Sequence, residues 1–196
     1  MKRILFLPLL AAMAISCNNN KPKNEVVIEE KDGTKLTVNT AVAEDVGLAA
    51  QKKAAELREL KPYSLAEMKT FFPEELDGAK RSGYEANATM GTVMGSAEYN
   101  TGETSKIKLS VFDCAGPAGS GFYSLQYLGA FQVEKDTEEE YIKTSDFNGA
   151  RAVESSRKNE NESSFMFLGG DRLMVTLEGE GVPVEKLKQI ASSLKF

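Results

Sequence analysis

Ser163-Ser164-Phe165-Met166-Phe167-Leu168-Gly169-Gly170-Asp171-Arg172-Leu173-Met174-Val175-Thr176-Leu177-Glu178 reads as two β-strands joined by a turn. Gly169-Gly170-Asp171 supplies residues that accept a left-handed backbone, a strong hairpin signal. Leu173, Val175 and Leu177 recur every second residue, the period that sends side chains to one face of a strand. Working back towards the N-terminus, strands are expected at Glu140 to Thr144 and Ala150 to Ser155. Further back, Ile107, Leu109 and Val111 alternate with Lys106, Lys108 and Ser110, a strand with one solvated face. Val93 to Tyr99 forms another, as does the alternation of Tyr84, Ala86, Ala88 and Met90. Asn100-Thr101-Gly102 is a turn. Hairpins in sequence, without regular strand–helix alternation, argue for antiparallel pairing and against a doubly wound fold. The expectation is α+β: an antiparallel sheet of about six or seven strands with three flanking helices.

The helices carry their own signals. Pro183 opens the last one, with Val184, Leu187, Ile190, Ala191 and Leu194 on one face. Ser64-Leu65-Ala66-Glu67 is a capping box, and Tyr63 and Met68 are spaced for a hydrophobic staple across it. Leu65, Met68, Phe71 and Phe72 form the face of that helix, and Pro73 ends it. Gly116-Pro117-Ala118-Gly119-Ser120-Gly121 reads as a flexible loop leading into a helix from Phe122 to Phe131. An Ala-rich helix is expected from Val42 to Leu60, with Val42, Val46, Ala49, Leu57 and Leu60 near one face and Lys53 interrupting it. Lys61-Pro62 closes it. Val26 to Ile28 and Lys35 to Val38 flank Asp32-Gly33 as a small hairpin. Over residues 61–196 this order of elements resembles the Mog1/PsbP-like sandwich of small envelope proteins, which implies the same α+β architecture.

Composition excludes several chemistries. The 196 residues hold 24 Lys+Arg, 29 Asp+Glu and no His, a formal charge of -5. Without histidine there is no Ser-His-Asp or Cys-His relay, no His-ligated metal and no imidazole switch. The acidic balance argues against nucleic acid as a partner, which needs a basic face.

The first seventeen residues carry an address. Lys2 and Arg3 precede an apolar run from Ile4 to Ala14, broken only by Pro8. As a helix that run spans about 16 Å, half a bilayer core, which suits a secretory leader and not a membrane span. Ala14-Ile15-Ser16-Cys17 follows and resembles the lipobox of bacterial lipoproteins, with Ala14 where Leu is usual. The resemblance implies cleavage after Ser16, diacylglycerol on the Cys17 sulfur and acylation of the new amino terminus with a palmitate-type chain. Asn18, in place of Asp, implies the outer membrane. Each buried CH₂ contributes about 0.8 kcal/mol, so two or three chains hold where one does not. Losing residues 1–16 removes Lys2 and Arg3 and no acid, taking the charge from -5 to -7. The expected organisation is a signal peptide at 1–16, a lipidated polar tether at 17–25, short strands and the Ala-rich helix at 26–60, and one α+β domain at 61–196.

Candidate sites are few. Cys114 lacks a histidine base and, with Cys17 acylated, a disulfide partner, so it reads as a buried small hydrophobe. The glycine loop lacks the Lys and Ser/Thr of a phosphate-binding loop. Asp136, Glu138, Glu139 and Glu140 lack the spacing of a calcium loop and read as a solvated turn. Asp171 and Arg172 are accounted for by the hairpin. Phe122, Tyr123 and Tyr127 are candidates to line an apolar ligand pocket. No residue is assigned to catalysis, a metal or a cofactor. The expected function is a lipid-anchored, non-catalytic binding module of the bacterial envelope, facing another envelope protein or a small ligand. The alternatives are an enzyme using carboxylates or Cys114, and a structural partner acting through the 42–60 helix.

Overall fold

The computed structural model describes residues 25–29, 35–127 and 134–196, with side chains over 47–125 and 134–196. The leader, Cys17, the tether to residue 24, Leu128, Phe131 and the Tyr127 side chain lie outside the described residues. In chain order the elements are β1 (Glu25–Glu29), β2 (Lys35–Asn39), α1 (Thr40–Glu59), α2 (Leu65–Lys69), β3 (Glu75–Leu76), β4 (Ala79–Thr89), β5 (Thr92–Asn100) and β6 (Lys106–Asp113). There follow α3 (Gly116–Tyr127), β7 (Glu134–Asp136), β8 (Glu140–Phe147), β9 (Ala150–Arg157), β10 (Glu162–Gly169), β11 (Leu173–Glu180) and α4 (Val184–Ser193).

The class is α+β. One open antiparallel sheet runs in the order β3-β4-β5-β6-β11-β10-β9-β8-β7, and β1-β2 form a separate hairpin. The strands expected from alternation are all present. The two that were not expected, β3 and β7, are two and three residues long, too short for a period to show. The turns follow from local chemistry. Asn148-Gly149 and Met90-Gly91 are two-residue loops in which both residues have positive φ, the type I′ geometry that matches strand twist. At the quoted hairpin Gly170 and Asp171 have φ of 54° and 58°, and the Arg172 amide donates to the Gly169 carbonyl at 3.2 Å.

The sheet is two ribbons joined in the middle. β3 to β6 form one meander and β7 to β11 the other. They meet where β6 pairs β11, from Leu173↔Asp113 to Glu180↔Lys106.

Period-two patterning gives the sheet two unlike faces. On the first, Val93, Ala97 and Tyr99 of β5, Ile107, Leu109 and Val111 of β6, and Leu173, Val175 and Leu177 of β11 are buried, with Phe165 and Phe167 of β10. Helices α2 and α4 cover it. In α4, Val184, Leu187, Ile190 and Ala191 are buried as expected, and each large side chain contributes about 1.5–3 kcal/mol. In α2 the capping box forms: the Ser64 hydroxyl accepts from the Glu67 amide at 3.2 Å, and Glu67 Oε2 accepts from the Ser64 amide at 2.7 Å. Beyond Lys69 the chain tightens, with Phe71 and Phe72 amides donating three residues back.

On the second face, only one end is covered. Leu57, Cys114, Tyr123 and Met174 form a small core there, with Phe112, Met166 and Leu168 packed against it. Helices α1 and α3 form its roof. The buried stripe of α1 is Ala50, Ala54 and Leu57, whereas Ala49 and Leu60 are exposed. Through Leu57 the Ala-rich helix is part of the folded body. Lys53 points away, towards Glu56 and Asp171.

The largest departure from expectation is α3. It starts at Gly116, so the expected flexible loop is the first half of the helix. Its packed face is Gly116, Gly119, Ser120 and Tyr123, at helical spacing. A Cβ on Gly119 would stand 2.6 Å from the Cys114 carbonyl carbon and 2.8 Å from the Asp113 carbonyl oxygen. Gly119 is there for close approach to the backbone at the end of β6, not for flexibility. Phe122 and Leu125, at the spacing that suggested a core, point outward instead.

Candidate functional site

Away from the α1–α3 roof, the second face of the sheet is an open ladder of charges. The register aligns Glu98, Lys108, Glu178, Ser164 and Ser155 in one row across β5, β6, β11, β10 and β9. The next row outward is Asn100, Lys106, Glu180, Glu162, Arg157 and Glu140. All of these but Asn100 line a concavity of about 460 Å³. Acids and bases neighbour one another at Glu98–Lys108–Glu178, Lys106–Glu180 and Glu162–Arg157–Glu140, whereas Glu180 and Glu162 stand side by side as two acids. Lys106 pairs with Glu180 at 3.0 Å, and Arg157 with Glu162 at 3.1 Å and Glu160 at 3.0 Å. The hydrogen bond and charge of Glu180 raise the Lys106 ammonium above its ordinary value. Such solvated pairs stabilise a fold little, roughly 0–1 kcal/mol each. Their placement in a sheet-wide row instead suits recognition of a polar, charged surface or ligand.

Period two also sends two acids to the closed face, and each finds a cation. Asp113 follows Ile107, Leu109 and Val111 in parity, and it is 0% exposed. Arg172 reaches it from the β10–β11 turn: Nε donates to Oδ1 and Nη2 to Oδ2, both at 2.8 Å. The amides of Tyr63 and Ala115 donate to the same carboxylate at 2.7 and 3.0 Å. Arg172 also donates to the Lys61 carbonyl at 2.7 Å and stacks 3.6 Å over the Tyr63 ring. Asp113 raises the guanidinium pKa further. This is a latch closing the 61–63 segment onto the end of β6. Arg172 therefore does more than complete a turn. The signal was an acid in a buried-parity position, which demands a partner. That partner lies 59 residues away, beyond any local pattern.

Glu154 of β9 is the second such acid. Tyr141 Oη donates to Oε1 at 2.8 Å and Lys188 Nζ of α4 to Oε2 at 2.6 Å. Burial pushes its pKa up, but the hydrogen bonds from Lys188 and Tyr141 outweigh burial and leave it lowered. Burial, and then Glu154 itself, push the Tyr141 phenol up to about 12. The trio fastens α4 to the sheet.

Cys114 lies under α3, fully buried. Burial pushes its thiol up to about 12, and nearby Asp113 adds to the rise. A thiol so placed is no nucleophile at neutral pH. Among the aromatic candidates, Tyr123 is buried in the second core, and Phe122 lies at the surface with its ring 4.3 Å from that of Phe112. Neither lines the charged concavity. In the acidic turn, Lys158 bonds Asp136 and Lys135 bonds Glu140 at 3.0 Å, so these acids are paired singly. Among the described residues no three Cys, Asp or Glu converge to hold a metal ion, and no helix is long and apolar enough to cross a membrane.

Fold and site thus define an α+β protein with one open antiparallel sheet, closed by helices on one face and presenting charges on the other. Comparison with protein-family models, with curated proteins and with solved structures finds no match.

Proposed function

We propose that the chain is an exported, lipid-anchored binding module of the bacterial envelope, without catalytic activity, whose partner or polar ligand seats on the open charged face of the sheet. One observation carries the binding half: helices cover the core of the first face, while the second leaves two rows rich in acids and bases uncovered around a 460 Å³ concavity. Burial of Cys114 and the pairing of Asp113 and Glu154 into structural bonds support a non-catalytic reading. The anchoring half rests on the resemblance of Ala14 to Cys17 to a lipobox. Outer-membrane placement rests on Asn18.

Two experiments test the halves separately. Mass spectrometry of protein from host membranes is expected to find an N-terminal Cys17 carrying acyl chains, and Cys17→Ser should leave the membrane fraction. A bare thiol, or an intact leader, refutes the anchor. Reversing Glu98→Lys and Glu178→Lys should abolish capture of whatever co-purifies with the wild type, with the thermal transition unchanged. Undiminished capture refutes the charged face as the binding surface.

A further inference from the structure

The two edges of the sheet are guarded differently. At one edge, β7 is three residues long, all of them charged, and β2 lies against it. Short, charged and covered strands are how proteins keep an edge from pairing with another chain. At the other edge, β3 covers only the beginning of β4, pairing Leu76↔Ala79 and Glu75↔Lys80, and the Arg81 amide donates to the Glu74 carbonyl at 2.9 Å. Ser82 is then the extra residue of a bulge, because the register steps from Arg81↔Tyr99 to Gly83↔Glu98. Beyond it, residues 83–89 run to the Met90-Gly91 turn with no described strand outside them. They hold one charge, Glu85, and no proline.

The turn fixes which backbone groups face out. A two-residue loop closes on a hydrogen-bonded pair, here Thr89↔Thr92, and antiparallel pairs alternate between bonded and unbonded. Asn87, Glu85 and Gly83 therefore spend their amides and carbonyls on β5. A Cβ on Gly95 would stand 3.2 Å from the Glu85 carbonyl oxygen, which accordingly faces β5. Tyr84, Ala86 and Ala88 turn their backbone groups outward, where none meets a partner among the described residues. A second copy of the same strand meets this edge in kind, because an antiparallel partner has to set outward residues opposite outward residues. A two-fold axis at Ala86, the middle of the open stretch, pairs Tyr84 with the partner's Ala88 and Ala86 with the partner's Ala86. Ala88 then pairs with the partner's Tyr84, and each pair makes two backbone hydrogen bonds. The same axis sets Glu85 opposite the partner's Asn87. Moved one residue earlier, it loses a pair and sets Glu85 against the partner's Glu85, two like charges; moved one later, it also loses a pair.

We propose that the chain self-associates through β4, two copies joining their sheets edge to edge about a two-fold axis at Ala86. What selects a second copy as the occupant is self-complementarity: the axis at the centre of the open stretch is also the one that uses all three outward residues and answers Glu85 with a neutral amide. It stands perpendicular to the sheet, so the charged faces of both copies point the same way. Residues 83–89 on each side make a small interface, in the size class of reversible association.

The Cys17→Ser chain, which carries no lipid, is followed by sedimentation velocity over a concentration series, beside Asn87→Lys and Asn87→Glu in the same background. Asn87 is exposed, so neither change touches the core. Each alters two cross-strand pairs per dimer, Glu85 with the partner's residue 87 and the reverse. Over two such pairs the effect of an opposite or a like charge is roughly two- to thirtyfold in the dissociation constant. A concentration-dependent dimer is expected, tightened by Asn87→Lys and loosened by Asn87→Glu. The amides of Tyr84, Ala86 and Ala88 should exchange with deuterium more slowly at high than at low concentration, with those of Glu85 and Asn87 unchanged. A dimer that responds to both substitutions alike, or to neither, overturns the interface. A chain that stays monomeric at the highest soluble concentration overturns self-association. If Ala86→Pro, which removes one outward amide and no bond to β5, then abolishes capture of a host protein by that monomer, the edge belongs to a foreign strand.

Discussion

Two glycines two residues apart in α3 should respond in opposite directions to the same substitution. Gly121 has open space around a built Cβ, with nothing within 4 Å. Gly121→Ala therefore gains helix propensity alone, about 0.5–1 kcal/mol. Gly119→Ala makes the same gain but drives its methyl to 2.6 Å from the Cys114 carbonyl carbon and 2.8 Å from the Asp113 carbonyl oxygen. Carbon atoms pack at about 3.5–4.0 Å, so helix and strand must part by about 1 Å. The neighbours are backbone and cannot rotate away, and overpacking of this kind costs about 1–3 kcal/mol. The shift also pulls on the Ala115 amide that donates to buried Asp113. A net loss of about 1–2 kcal/mol is expected for Gly119→Ala, so the two variants should differ by about 1.5–3 kcal/mol. For a chain of this size 1 kcal/mol moves the midpoint by about 2–4 °C, so thermal melts followed by far-ultraviolet circular dichroism resolve the difference. If residues 116–121 were a solvated loop, neither methyl would meet anything. Midpoints within a degree of each other would refute the packing of α3 on β6.

Three further outcomes follow from the buried polar groups. Arg172→Met should leave Asp113 buried without its cation and cost about 3–5 kcal/mol, seen as a lower urea midpoint; a change under about 0.5 kcal/mol, ordinary for a surface site, would refute the latch. Glu154, with its folded pKa lowered, contributes stability that is present above 4.5, its ordinary value, and lost as pH falls through the folded value. Glu154→Gln should therefore cost about 1–2 kcal/mol at neutral pH, and the gap should close on acidification; a gap that stays constant into strong acid contradicts the assignment. Cys114, raised to about 12, should alkylate in the native Cys17→Ser chain only as fast as the protein opens, and labelling at the rate of the unfolded chain would show an accessible thiolate.

What could be read from the sequence was whatever rests on period and local chemistry. The β10–β11 hairpin, the capping box at Ser64 and Glu67, the buried stripe of α4 and the solvated face of β6 all came from neighbours within four residues. What could not be read rests on distant partners. Helix α3 has the composition of a loop, yet its Gly119 answers to the backbone at the end of β6, and that tertiary packing overrides poor propensity. The same inversion turned Phe122 and Leu125 outward. Ala50 replaces Ala49 on the buried stripe because α3, not propensity, decides which side of α1 is covered. Arg172 looked like a turn residue because its carboxylate partner lies on a strand the turn does not adjoin in sequence. The charged ladder was half visible: each strand showed a polar face, but the alignment of the rows needed the register.

The junction of β6 with β11 has a consequence for how the molecule assembles. Each ribbon closes by short turns and can zip locally and fast, whereas the seam between them links residues 60 to 74 positions apart, from Leu173↔Asp113 to Glu180↔Lys106, and must wait for both. Folding should then be limited by one docking event between preformed halves. The same seam makes the protein a candidate for reconstitution from two separately made pieces, divided between α3 and β7. The hydrogen-bonded join and the Asp113–Arg172 pair would be the glue, and neither half would hold its share of the α2–α4 core closed alone.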